Sequence, residues 1–149
     1  MTRNEALRKL REARVGRLAT VRPDGTPHVI PFVFALVEDG NELRVYWAVD
    51  DKPKKRADIQ RLDNIRANPH VEFVVDGYAE DWAMLWWVRV RGTAVLVDDA
   101  NERARGRSAL LAKYDAYRVS PPNGELVRID ARDVTSWSAA GPSQHSTSC

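Results

Sequence analysis

Cysteine is almost absent from this sequence: a single residue, Cys149, stands at the last of 149 positions. No internal disulfide can form, which fits a reducing cytosol. The only thiol lies in a terminal stretch with no periodicity, so a Cys–His dyad is not expected. Histidine is also sparse, and His28, His70 and His145 are too scattered to suggest a shared zinc site. No apolar run approaches the roughly 20 residues that a spanning helix needs. The opening stretch MTRNEALRKLREAR is charged throughout, with no apolar core of a secretory signal. These absences predict a cytoplasmic protein without a membrane partner. A net charge of +2 is too small to imply nucleic-acid binding by itself. Glycine-rich phosphate loops of the usual spacings and the G-x-S-x-G elbow are missing. With so little nucleophilic or acid–base equipment, any catalysis is pushed towards a bound organic cofactor.

What is present is ordinary globular material, 44% hydrophobic and 30% charged, of a length that suits one domain. Five tryptophans are many for this length, and three of them, Trp82, Trp86 and Trp87, fall within six positions. Thr2 and Glu5 have capping-box spacing, and Ala6, Leu7, Leu10 and Ala13 make an apolar stripe, which predicts a helix over 2–13. Strands are predicted over 15–21 and 26–37, joined by a hairpin at Pro23-Asp24-Gly25. Pro27 and Pro31 each remove a ladder donor and place the second strand at an edge or a bend. A second turn at 38–41 leads to a strand over 42–49. A helix starts near Asp50-Asp51-Lys52-Pro53 and ends before Asn68-Pro69. Strands over 71–76 and 82–97, a helix from 98 to about Tyr114, and closing strands over 125–131 and 134–138 complete the domain. Residues 139–149 read as a disordered tail. Tight hairpins imply antiparallel pairing, and strands of this number suggest a closed or nearly closed barrel.

The segment KPKKRADIQR carries Lys52, Lys54, Lys55, Arg56 and Arg61 against the single Asp58, at the point where an aromatic strand gives way to a helix. A helix start offers free N–H groups and a positive dipole end, so an anion is favoured there before any lysine is counted. Two readings are open: a phosphate site, or a solvated basic face.

The surrounding residues resemble a known family. The stretch GRLATVRPDGTPHVIP, from Gly16 to Pro31, resembles the opening hairpin of the pyridoxamine-phosphate-oxidase-like split-barrel proteins. The lysine-rich helix start followed by RLDNIRANPHV resembles their phosphate-binding helix. Trp82 with LWWVRVRGTA resembles their next long strand. Within the family, the RLDNI helix and the WWVRV strand resemble the actinobacterial branch that uses the deazaflavin coenzyme F420. The resemblance implies an α+β protein, a six-stranded antiparallel split β-barrel (Greek key) with a few peripheral helices, in one domain over residues 1–138.

It further implies a homodimer with the cofactor in grooves between subunits, coenzyme F420 or alternatively FMN, and a small-molecule substrate. The cofactor phosphate is expected to meet Lys52, Lys54, Lys55 and Arg61, with Asn64 close behind. The ring is expected against Pro31 and Val33 on one strand and Trp47 and Val49 on the other, with Trp82 or Trp86 reaching in from the partner. The activity implied is hydride transfer; a non-catalytic carrier is the other reading. Replacing Lys55 or Arg61 with alanine is expected to weaken cofactor binding while leaving the fold intact.

Overall fold

The computed structural model describes residues 1–49, 56–140 and 145–148, and for 56–58 and 145–148 the backbone alone. Helix α1 (Arg3–Glu12) starts where the sequence signals it. Thr2 Oγ1 accepts from the Glu5 amide at 3.2 Å and the Glu5 carboxylate accepts from the Thr2 amide at 2.8 Å. Ala6, Leu7 and Leu10 form its buried stripe. Strands β1 (Gly16–Val21) and β2 (Pro27–Phe32) pair through the expected hairpin. Its turn is fixed by Asp24, which accepts from the Thr26 amide and hydroxyl, and by Gly25 at φ +89°. Strands β3 (Ala35–Asp39) and β4 (Glu42–Ala48) form the second hairpin. Helix α2 (Arg56–Ala67) leads into β5 (His70–Gly77). A 3-10 turn at Trp82–Met84 precedes β6 (Trp86–Leu96). Helices α3 (Ala100–Lys113) and α4 (Asp115–Val119), then β7 (Leu126–Ser138) and β8 (His145–Ser148), complete the chain.

All pairings are antiparallel, in the order β2-β1-β5-β6-β7-β4-β3, with β8 added on β7. The two end strands, β2 and β3, are joined by Val33 and Phe34 alone, so the sheet curls until its edges nearly meet. No hydrogen-bonded pairing of β2 with β3 occurs among the described residues. The α+β character therefore holds, but the six-stranded barrel does not: seven strands run in an open order.

Three departures explain the difference. The strand expected over 26–37 breaks at Val33–Phe34, where the Tyr114 hydroxyl donates to the Phe34 carbonyl and accepts from its amide. The two closing strands fuse into β7, with a register shift against β6 between Arg91 and Gly92. Within the expected disordered tail, His145–Ser148 pair with Asp133–Ser136. Pro27 and Pro31 lie on an edge strand, as their missing donors require.

The curled sheet encloses one core of Leu18, Phe32, Phe34, Val45, Trp47, Phe73, Val75, Val88, Val90 and Ile129. Phe32, Phe34 and Phe73 meet at ring-centroid distances of 5.1–5.2 Å, in stacked, tilted and edge-on pairs. A second cluster of Ala35, Tyr46, Val97, Leu110, Tyr114 and Leu126 seats α3 on β3, β4 and β7.

Candidate functional site

The described residues offer two features at opposite ends of the strands. One lies where β1 turns into β2 and α2 approaches β5. The other lies where β5, β6 and β7 meet at Gly77, Trp86 and Ser138.

At the first end, α2 is pinned to β1 by a buried polar pair. Asn64, fully buried, donates from Nδ2 to Thr20 Oγ1 at 2.9 Å and accepts at Oδ1 from Gln60 Nε2 at 2.7 Å. Both ends of its amide are engaged, so Asn64 sets the position of the helix. One turn earlier, Arg61 is 94% buried, its guanidinium carbon 4.5 Å above the Trp47 ring. Burial normally penalises such a charge; stacking on an indole face recovers part of the loss. Trp47 is itself 1% exposed and meets Phe32 edge-on at 6.3 Å. Trp47 Nε1 is buried with no hydrogen-bond partner among the described residues.

His28 completes this end. It is the register partner of Thr20, and Thr20 faces inward, so His28 shares that inner side. The sequence alone suggests a strand-surface residue, but the imidazole is part-buried and its Nδ1 is buried with no partner among the described residues. Burial, then Arg22 and Arg61, hold its pKa below the ordinary imidazole value. The residues here suit an anion: a fixed cation at Arg61, a second at Arg22 that acts on the same imidazole, and an imidazole nitrogen without a hydrogen-bond partner among the described residues. Lys52, Lys54 and Lys55 lie outside the described residues.

The other expected site residues are dispersed. Pro31 is exposed on the outer side of edge strand β2, and Val33 is half-buried against the α3 cluster. Val49 is buried and its amide donates to the Glu125 carbonyl. Neither Trp47 nor Val49 presents its side chain to the surface. Trp82 stands on the turn before β6 and is 68% exposed. Trp86 shares the inward side with Val88 and Val90 and packs over Gly77, where a Cβ would lie 2.1 Å from Trp86 Nε1. Lys9 of α1 sits 4.2 Å above its ring.

The second end holds a groove of about 450 Å³. Trp87 and Trp137, paired across β6 and β7, line it with Val74, Tyr78, Leu85 and Arg89. Strand alternation was the available signal: with Val88 and Val90 inward, Trp87 and Arg89 must face out. Arg89 lies 5.3 Å from the Trp87 ring and 3.6 Å from Glu72, which also holds Arg91 at 3.5 Å. Arg91 reaches Asp133 at 3.8 Å as well. This outer face is consequently close to neutral. Among the described residues no cluster of potential metal ligands occurs, and no helix is long and apolar enough to cross a membrane.

A sequence profile described as pyridoxamine 5'-phosphate oxidase matches residues 3–138, nearly the whole of this fold. The chain belongs to that family. Membership makes it an oxidoreductase by family. It is 26% identical over 133 residues to a 5a,11a-dehydrotetracycline/5a,11a-dehydrooxytetracycline reductase of Streptomyces rimosus, covering 89% of this chain and 80% of that one. Among solved structures, a conserved hypothetical protein of Mycobacterium tuberculosis superposes with a TM-score of 0.73 at 25% identity, covering 93% of this chain and 86% of that one. An FAD-binding protein of Mycobacterium smegmatis gives a TM-score of 0.66 at 22% identity, over 92% and 94% of the two chains, and so shares the fold.

Proposed function

We propose that this protein, as a homodimer holding its cofactor between subunits, uses the deazaflavin coenzyme F420 to reduce an activated double bond of a small molecule. The observation that carries the reading is Arg61: a buried cation stacked on Trp47, on the helix that begins beside Lys52, Lys54 and Lys55. A fixed guanidinium suits a phosphate, which it meets through paired donors. The likeness of RLDNIRANP and LWWVRV to the deazaflavin-using branch favours F420, and so does a relative named as a reductase. FMN carries the same ribityl phosphate, and the family profile bears the name of an oxidase; it is the alternative cofactor.

When bound, the deazaflavin supplies the hydride. The chain supplies position. Asn64, held by Thr20 and Gln60, fixes α2; Trp47 fixes the Arg61 guanidinium; Arg61 holds the phosphate. Trp87 and Trp137 offer broad apolar walls against which a flat acceptor is sheltered from water. Asp76, the one carboxylate among the described residues of that groove, is paired with Arg17 at 3.4 Å, and the proton that completes the reduction comes from solvent.

The test is turnover. Reduced F420 should be oxidised only when protein and an electron-poor ene acceptor are both present. Turnover with reduced FMN alone would reverse the cofactor assignment; tight binding of either without turnover of any acceptor would make the protein a carrier. Sedimentation at micromolar concentration should give twice 16.9 kDa; a monomer would remove the shared-site arrangement.

A further inference from the structure

We propose that His28 is a binding residue for the same anion that Arg61 serves, and that filling the site places a proton on its Nδ1. The inference rests on the reading of this end as the phosphate site. His28 stands on the inner side of β2, across from Thr20, and Thr20 is bonded to Asn64 of the helix that carries Arg61. Its Nδ1 is shut away from water and meets no donor or acceptor among the described residues. Such an atom is unusual in a part-buried position, where polar groups nearly always find a partner. The polar groups across the strand are turned to one another instead. Thr20 and Asn64 are bonded to each other, and Gln60 is bonded to Asn64.

Among the described residues, the charges that act on His28 are Arg22, in the turn after β1, and Arg61 on α2, and both are positive. Burial first, and then these two cations, hold its pKa below the ordinary imidazole value, because a third positive charge there is poorly solvated and repelled. A phosphate or sulfate brought to Arg61 carries about two negative charges, which offset both cations and put an opposite charge beside the imidazole. An opposite charge within about 4–6 Å raises the pKa of a cationic acid by about 1–3 units. Nδ1 then takes a proton from bulk water and donates to an anion oxygen; the anion itself is unchanged and charge balances. Linkage requires the converse: anion affinity rises as pH falls through the histidine range, by about tenfold per unit of that shift.

Sulfate is the suitable probe, since it does not titrate in this range. The ring C–H resonances of His28, assigned by their loss in His28→Asn, are followed against pH with and without saturating sulfate. The expected result is an upward displacement of the His28 midpoint by about one unit or more. His28→Ala should bind sulfate about tenfold more weakly than wild type near pH 6. His28→Asn, whose amide Nδ2 can donate from the same place, should keep measurable binding but lose the pH dependence. A His28 midpoint that sulfate leaves in place, or His28→Ala binding like wild type, overturns the proposal. Arg61→Ala separates the layers. If it weakens sulfate binding while the His28 midpoint does not move, the proposal alone fails. If Arg61→Ala leaves sulfate binding untouched, this end is no anion site, and both readings fall.

Discussion

Arg61 has two roles in this account, and two substitutions pull them apart. In Arg61→Ala the guanidinium is removed from the Trp47 face, and the aliphatic stem that covers the core is removed with it. A partly desolvated cation–π contact contributes about 1–2 kcal/mol, and lost packing of the stem adds to that. The alanine variant should therefore be about 2 kcal/mol less stable than wild type. This corrects the expectation that alanine here leaves the fold intact, which treated Arg61 as a surface side chain. Arg61→Met keeps the stem and its apolar cover and should recover most of the stability. Neither variant can bind phosphate through a charged fork, a contact worth about 1.5–3 kcal/mol. Cofactor affinity should thus fall about ten- to a hundredfold in both variants, at about 1.4 kcal/mol per factor of ten. Urea unfolding gives the stability and fluorescence titration of the folded protein gives the affinity. An Arg61→Met protein that binds cofactor within twofold of wild type would refute the assignment. An alanine variant as stable as wild type would refute the packing argument.

Two further perturbations test the supports behind the site. Glu102 of α3 accepts from Tyr46 Oη at 2.7 Å and from Arg128 Nη1 at 2.8 and 2.9 Å. Burial acts to raise its pKa, but the bonds from Arg128 and Tyr46 outweigh it and the net displacement is downward. A depressed carboxylate stabilises the fold above its unfolded value and stops doing so as pH falls through the folded one. Arg128→Met should accordingly cost about 2–4 kcal/mol at neutral pH, and the deficit should shrink under acid, as followed by urea unfolding at several pH values. Lys113 places its ammonium 4.2 Å over the Phe34 ring, with Nζ buried and no hydrogen-bond partner among the described residues; burial first, then Arg14, lower its pKa to about 8. Its contribution is full above its unfolded pKa and is lost as pH falls through about 8. Lys113→Met should raise stability by about 1 kcal/mol at pH 7 and by less at pH 10, measured by thermal unfolding; a loss at pH 7 would show that the cation–π contacts dominate.

Local signals were legible in the sequence. Thr2 with Glu5, Asp24-Gly25, the apolar stripe of α1 and the edge prolines each specify a conformation through a short-range bond or a fixed dihedral. The break at Val33–Phe34 was not legible, because what stops β2 there is Tyr114, some 80 residues away. The fusion of β7 hides in Arg132-Asp133, a charged pair between two apolar runs that β6 accommodates by a register shift. At the site, the basic run and Arg61 were visible as charges, but the burial of Arg61 was not. Ile59, Leu62 and Ile65 share one stripe of α2, of which Leu62 and Ile65 are buried and Ile59 is exposed, and only the packing of Trp47 shows that Arg61 lies inside as well. His28 was misplaced because its outward neighbours, Pro27 and Val29, obscured the alternation; its pairing with Thr20 fixes its side. Strand alternation sets Trp86 and Trp87 on opposite faces, and Gly77 decides which of them turns inward.

The central claim is that the α2 end holds the phosphate of a deazaflavin. Its most direct test is an equilibrium titration of the purified protein with F420 and, separately, FMN, followed by ring fluorescence at two salt concentrations. The account predicts micromolar or tighter F420 binding, weaker FMN binding, and loss of affinity as salt screens the cations. Stoichiometric FMN binding with no F420 binding, or binding of either that ignores salt and the Arg61→Met substitution alike, would contradict it.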